Sequence, residues 1–445
     1  MVHDNLDLWT TVGPFSDKVV DAIQDFVLPQ VNSSARLKVY VDGVKHAVPS
    51  GDIVNLLSLV DSNRQLLQVA RVQSLSRHAC TNIKDIFSTG PAFQALRILY
   101  LETHRHVAWK QVTLLAPNAT SIRLSGMRSA PSFSLCTELS ELCIEDVGEI
   151  PEDAIVVVSA LRLRRLYLNV RSMQQALDTA ASKLVKLTLP CLKVATVIVR
   201  CSDLYRLFAL CPADGLSSLT NLSLHGLRGV GHPVHSIEDH VIQRGLQALI
   251  ATFRNMIALS TFDPSHLLDI DSQNNHLDLS LMSVLRYISQ ERRAKLSMDT
   301  RHCHPDNVNV HASAMEGILA AIAPLHVDKR LHVGLTSLST HPFERDPIGG
   351  LSSMGVMTTL RLSGDIKRVE DMLKTLAHGR GEPVSLRTHM ILDGWALTRH
   401  TLTHLRGLAS RSGNRIKLTI VGQVEDACKA ALAGQHRLQV EYKDT

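Results

Sequence analysis

The chain has 445 residues, of which 45% are hydrophobic and only 4% aromatic, and a formal net charge of +5. That length exceeds one compact core of ordinary shape, and that apolar content excludes a disordered chain. With aromatics so scarce, aliphatic side chains must fill the interior, as in a leucine ladder rather than an aromatic-rich sandwich or propeller.

The basic clusters Arg162-Arg164-Arg165 and Arg292-Arg293-Lys295 lie beside apolar segments and lack interleaved aromatics. No nucleic-acid partner is therefore expected. The eight cysteines show neither a C-x-x-C pair nor a regular framework, so they are read as reduced, small hydrophobes. The opening MVHDNLDLWTTVG lacks the basic and apolar regions of a signal peptide. No apolar run reaches the ~18–20 residues that span a membrane. These features predict a cytoplasmic or nuclear protein with no membrane segment.

In chain order, the first predicted elements are a short strand at Leu8–Val12 and an amphipathic helix carrying Val19, Val20, Ile23, Phe26 and Val27, stopped by Pro29. Alternation predicts a strand over Leu37–Val41, then a helix over Ile53–Leu59, a strand over Leu66–Val72 and a short helix over Cys80–Phe87. From Leu96 an L-x-x-L-x-L pattern takes over. Its copies are Leu96-Leu99-Leu101, Ala119-Ile122-Leu124, Leu139-Leu142-Ile144, Leu163-Leu166-Leu168, Leu184-Leu187-Leu189 and Leu219-Leu222-Leu224. The middle anchors Leu99, Ile122, Leu142, Leu166, Leu187 and Leu222 follow at steps of 23, 20, 24, 21 and 35 residues. Poorer copies follow at Met256-Leu259, Leu296-Met298 and Leu331-Val333. Met357-Leu360-Leu362 restores the pattern, and Ile391-Leu392 and Ile416-Leu418-Ile420 complete it.

A period of roughly 20–37 residues with one short strand each is a solenoid signature. One strand and its connection cannot bury an apolar face alone, whereas stacked copies share one continuous core. The fold class read from this is α/β: an irregular leucine-rich-repeat solenoid, or horseshoe, with a parallel sheet on the concave face and helices or loops on the convex face. Residues 1–90 are read as degenerate N-terminal repeats or a cap, continuous with a solenoid over 91–445. Helical faces between strands fit this reading, including Met173, Ala176, Leu177 and Ala180, then Leu204, Leu207, Phe208 and Cys211, then Ile237, Val241, Leu249 and Phe253, and segments at Met315–Ile322 and Val369–Leu376. Capping boxes are predicted at Ser172-Gln175, Ser236-Asp239 and Ser313-Glu316, and C-caps at Gly379 and Gly413. A step of about 20 residues leaves room for only a short convex element, and 35 for a full helix. Thr261–Leu279 and Thr340–Gly355 are the least regular stretches.

The 22 histidines raise the question of a metal. His302, Cys303, His304 and His311 form one group, and His225, His232, His235 and His240 another, but neither has the paired spacing of a zinc site. Phosphate loops, dinucleotide fingerprints, nucleophile elbows and H-E-x-x-H are absent. Glu149, Glu152 and Asp153 flank Pro151 in a predicted solvated turn. No catalytic residue, metal or cofactor is assigned, and a His-based metal enzyme is kept as the competing class. The surface of interest is the strand face. The residues pointing outward between the leucines are Tyr100, Arg123, Cys143, Tyr167, Thr188, Ser223 and Arg361, followed by Glu102, Ser125, Glu145, Asn169, His225 and Ser363. Of these, Tyr100, Glu102, Arg123, Glu145, Tyr167, Asn169, Ser223, His225 and Arg361 are the predicted contacts for a protein partner.

Three stretches carry a family resemblance: Asn5–Thr11 with Ser16-Asp17-Lys18, Asp85–Ala92 leading into Leu96-Leu99-Leu101, and Leu216–Leu227, LSSLTNLSLHGL. In these the chain resembles the leucine-rich-repeat F-box proteins of mushroom-forming fungi, beginning where their F-box would have just ended. The resemblance implies repeats that recognise the substrate of a cullin ubiquitin ligase. Binding of a Skp1-like adaptor, the F-box's role in that family, does not carry over to a chain without the F-box. A stand-alone scaffold or regulator, of the kind that includes leucine-rich GTPase activators, is the alternative.

Overall fold

The computed structural model of the chain describes residues 37–42, 61–103 without 63 and 74–76, 107–227 without 213, 239–259, 267–275, 280–288, 292–299, 314, 317–318, 321, 332–338, 359–364, 366–378, 389–394, 397–411 and 415–443. The predicted elements at 8–12, 19–27 and 53–59, the cap at Gly379, the cap at Gly413 and the loop at 340–355 lie outside the described residues. Two compact units result, one of Met1–Val199 with Leu210–Ser218, the other of Arg200–Ala209 with Leu219–Thr445.

The first unit is a run of seven parallel strands in chain order: β1 (Leu37–Asp42), β2 (Leu67–Gln73), β3 (Ile98–Glu102), β4 (Ser121–Ser125), β5 (Glu141–Glu149), β6 (Arg165–Ser172) and β7 (Val194–Arg200). Strand neighbours that are consecutive in sequence and parallel need a return connection each time. These connections are helix α1 (Arg77–Ser88) before β3, α2 (Ala154–Ala160) before β6 and α3 (Gln174–Ser182) before β7. Among the described residues the shorter returns after β3 and β4 hold no helix. Isolated parallel bridges Ala108–Ser129, Thr113–Ser132 and Ser129–Glu149 line them up instead, as the 20-residue steps require.

The leucines form the ladder that the periodicity predicts. Leu99 faces Ile122, Ile122 faces Leu142 and Leu142 faces Leu166 across successive strand pairs, all of them buried. Each such side chain contributes about 1.5–3 kcal/mol by leaving water. Trp109, Phe87 and Phe93 close the back of the stack, with the two phenylalanine rings 4.8 Å apart.

One rung departs from the prediction. Leu184-Leu187-Leu189 is not a strand, and the partner of Leu166 is Ala195 of β7. The reason is local. Lys183 caps α3, Leu184 takes a left-handed φ of +52°, and the Val185 and Leu184 amides donate back to the Ala180 and Ala181 carbonyls. That is a helix terminus of the Schellman kind. It leaves Leu184 86% exposed and delays the strand to Val194. Thr188 consequently belongs to a connecting segment and not to the outward strand row. The predicted capping box at Ser172 is also absent, because Ser172 ends β6 and Met173 is the N-cap, without a side-chain hydrogen bond.

Among the described residues the second unit holds nine strands: β8 (Asn221–Leu227), β9 (Leu267–Asn275), β10 (Ser280–Ile288), β11 (Arg293–Asp299), β12 (His332–Leu338), β13 (Thr359–Gly364), β14 (His389–Asp393), β15 (Ile416–Val421) and β16 (Leu438–Lys443). Their spatial order is β8-β11-β10-β9-β12 and then β13 to β16 in sequence. Every pair is parallel except the two made by β10, which runs antiparallel to β9 and β11. An all-parallel sheet was the expectation, so this three-strand meander is a departure, built partly from the stretch read as irregular. Its helices among the described residues include α4 (Cys201–Ala209), α5 (Asp239–Ala258), α6 (Ile366–His378), α7 (Arg399–Arg411) and α8 (Asp426–Ala433). The predicted Met256-Leu259 strand is instead the end of α5, with Leu259 half exposed. Gly245 of α5 lies so close to α4 that a Cβ would stand 2.1 Å from the Tyr205 carbonyl oxygen.

Candidate functional site: the open strand face

Alternation along a strand sends one set of side chains to the core and the other outward. On β3 to β6 the burial pattern follows this rule, with the leucines inside and Tyr100, Arg123, Cys143 and Tyr167 outside. The strand register makes these outward residues one row. Arg71 stands beside Tyr100, Tyr100 beside Arg123, Arg123 beside Cys143, Cys143 beside Tyr167 and Tyr167 beside Thr196. A second row runs Glu102, Ser125, Glu145. A β-bulge on β5, where Asp146 takes a φ of +49°, breaks that row's register before Asn169.

The row is tied together by charge and ring contacts. The Arg71 and Arg123 guanidinium groups each lie 5.0 Å from the Tyr100 ring centroid. The Tyr100 hydroxyl donates to Glu102 Oε2 at 2.9 Å. Arg123 Nη2 donates to Glu145 Oε2 at 2.6 Å, while Arg165 and Arg171 lie 3.7 and 3.4 Å from Glu141 and Asp146. Burial, with the Glu102 carboxylate, pushes the Tyr100 phenol up. Burial, then Glu145, does the same to Tyr167. Both phenols are thus neutral donors at pH 7. Burial raises the Cys143 thiol to about 11 against the pull of Arg123, so it is not an activated nucleophile.

On the second unit, Ser223 Oγ and His225 Nε2 of β8 are 2.9 Å apart. Burial and then Lys295 lower the His225 ring below its usual range, which makes it a neutral hydrogen-bonding group. Arg361 lies on β13 between Gly334 and Ile391, though its side chain is outside the described residues, as is that of Ser363. Farther along, His389 Nε2 lies 2.6 Å from Thr419 Oγ1, and Lys417 pairs with Glu441 at 3.0 Å. Sequence reading missed this cluster, because no full repeat motif marks β14 to β16. It missed Arg71 and Thr196 for the same reason.

Of the histidine groups, His302, Cys303, His304, His311, His232 and His235 lie outside the described residues. Among the described residues no group of three or more His, Cys, Asp or Glu is placed to hold a metal ion. A cavity of about 330 Å³ opens beside the returns that follow β3 to β6, lined in part by Lys110, Ser132, Glu149, Glu152 and Asp153. Asp153 there accepts a 2.7 Å hydrogen bond from Ser132 Oγ. The residues expected to be merely solvated thus edge a recess, but it holds no His or Cys to pair with its carboxylates. No helix among the described residues is long and apolar enough to cross a membrane.

Comparison with known proteins returns nothing: no family model, no curated protein and no solved structure matches this chain.

Proposed function

We propose that the chain is an irregular leucine-rich-repeat protein of the kind its sequence resembles, and that it recognises a protein partner through the outward strand row without catalysis. The observation that carries this is the register: Arg71, Tyr100, Arg123, Cys143 and Tyr167 stand side by side on consecutive strands. Tyr and Arg are the side chains that concentrate binding energy in interfaces, and repeat stacks present such rows as continuous surfaces. The leading role is substrate recognition for an F-box-like ubiquitin ligase in the cytoplasm or nucleus, and the alternative is a stand-alone scaffold.

The test is affinity capture from the source cell, comparing the chain with a Tyr100→Ala/Arg123→Ala variant whose thermal melt is unchanged. The expected result is a protein retained by the first and lost by the second. Cullin-dependent ubiquitination of the retained protein that falls when this chain is removed selects the ligase role, and ubiquitination that does not change selects the scaffold. A retained set identical for both chains overturns recognition by this face.

A further inference from the structure

We propose that the strand face is read by a carboxylate: an Asp or Glu side chain of an extended partner segment, held by Arg71, with an aliphatic side chain of the same segment on Val194 and Ile198. This rests on the recognition reading above and adds a chemistry for the partner.

On β2 to β6 four arginines point from this face, and three are already engaged by carboxylates. Arg123 is held by Glu145, Arg165 by Glu141 and Arg171 by Asp146. Arg71 differs. Its Nε donates to Gln73 Oε1 at 3.3 Å, its guanidinium lies over Tyr100, and it is exposed. Its two terminal nitrogens have no acceptor among the described residues. They are a planar two-donor fork, which matches a carboxylate in bidentate geometry. The fork is also held in place in advance. Tyr100 carries one guanidinium on each side and is itself fixed by its hydrogen bond to Glu102. Ordering a long side chain before the partner arrives removes part of the entropic cost of binding. A singly charged carboxylate suits this place better than a phosphate. Glu102 stands on the adjacent strand and Glu145 beyond it, and a dianion would be repelled by both.

The other end of the row is apolar. β7 turns Val194, Thr196 and Ile198 outward, each half-buried. From β2 to β7 is five strand steps, or about 24 Å at ~4.8 Å per step, a distance an extended segment covers in about seven residues. The surface therefore fits a segment with an acidic residue and an aliphatic residue that far apart.

The test is to pan the full chain against displayed random linear peptides that can span this distance. An enriched peptide is then titrated by fluorescence anisotropy. Enrichment of Asp or Glu is expected. Either Arg71→Ala in the protein or Glu→Gln in the peptide should weaken binding about tenfold or more, and the two together should cost no more than either alone. Ile198→Ser should weaken binding without changing the acidic preference. Acid-independent enrichment, an acidic preference that survives Arg71→Ala, or no enrichment at all overturns the inference. So does tighter, Arg71-dependent binding when phosphoserine replaces the acidic residue. The parent reading is judged separately, by cell capture with the Tyr100→Ala/Arg123→Ala variant.

Discussion

At Gly126 the backbone takes a φ of +69°, and a Cβ there would stand 2.5 Å from the Thr103 carbonyl oxygen. The residue is therefore fixed twice, by conformation and by space. Gly126→Ala is expected to lower stability by about 1–3 kcal/mol, measured as a shifted urea midpoint. The buried thiols make a second expectation at this scale. Burial raises Cys136 and Cys211 from an ordinary 9.0 to about 12. A thiol whose folded pKa is raised stabilises the fold fully below its unfolded pKa. That contribution fades as pH climbs from about 9 toward 12, because only the unfolded chain releases the proton. Thermal melts should thus fall across that alkaline window, and Cys136→Ala/Cys211→Ala should flatten the fall. At neutral pH the exposed Cys191 should alkylate before the buried Cys80, Cys136, Cys201, Cys211 and Cys428. Other residue-scale features were not legible in the sequence. Arg64 reads as a surface cation, yet it is buried, donates to the Thr89 and Pro91 carbonyls at 2.6 and 2.7 Å, and stacks over Phe93. Asp61, three positions before it, accepts from its Nε at 2.8 Å, but the two carbonyls lie 25 and 27 positions away, beyond the reach of any local pattern.

Elements were legible wherever the leucine spacing and the alternation agreed. On β3 to β6 they did, and the outward residues followed. They disagreed around Leu184, where an apolar triplet straddles the end of α3. There the helix terminus wins, because it satisfies two backbone carbonyls that would otherwise lack donors. Two substitutions check this. Leu184→Gly should raise stability by about 1 kcal/mol, since glycine takes the left-handed conformation without strain. Leu187→Ala should lower it by about 2–5 kcal/mol, since Leu187 is buried even though it is not in a strand. Equal effects in denaturant titrations would mean that both leucines are core or both surface. β7 escaped notice because Val194–Arg200, VATVIVR, contains no leucine triplet. Tyr100, Arg123, Cys143 and Tyr167 of the row were visible for the same reason that Arg71 and Thr196 were not: the motif marks the inward residues, and only where it is intact does it locate the outward ones.

For the whole molecule, periodicity revealed that strands succeed one another in parallel, which holds throughout the first unit and from β12 onward in the second. It did not reveal the reversal at β10, because an antiparallel meander has the same apolar alternation as a parallel rung. What distinguishes them is connection length, and β9, β10 and β11 follow one another with only four residues between each pair.

That meander bears on how quickly the chain can fold. Most rungs join strands 20 to 30 positions apart, as in Ile122 with Leu142 or Leu392 with Ile420. β8 instead waits for Arg293 to reach Asn221, and β9 waits for His332 to reach Leu267. Pairings this distant in sequence must overcome loop-closure entropy before they gain contacts, and they set the slow limb of folding. In pulse-labelled hydrogen exchange, the amides of β4 to β6 should gain protection early and those of β8 and β11 last. A chain in which β8 is protected as early as β5 would show that the two halves of this junction meet before the rungs on either side have formed.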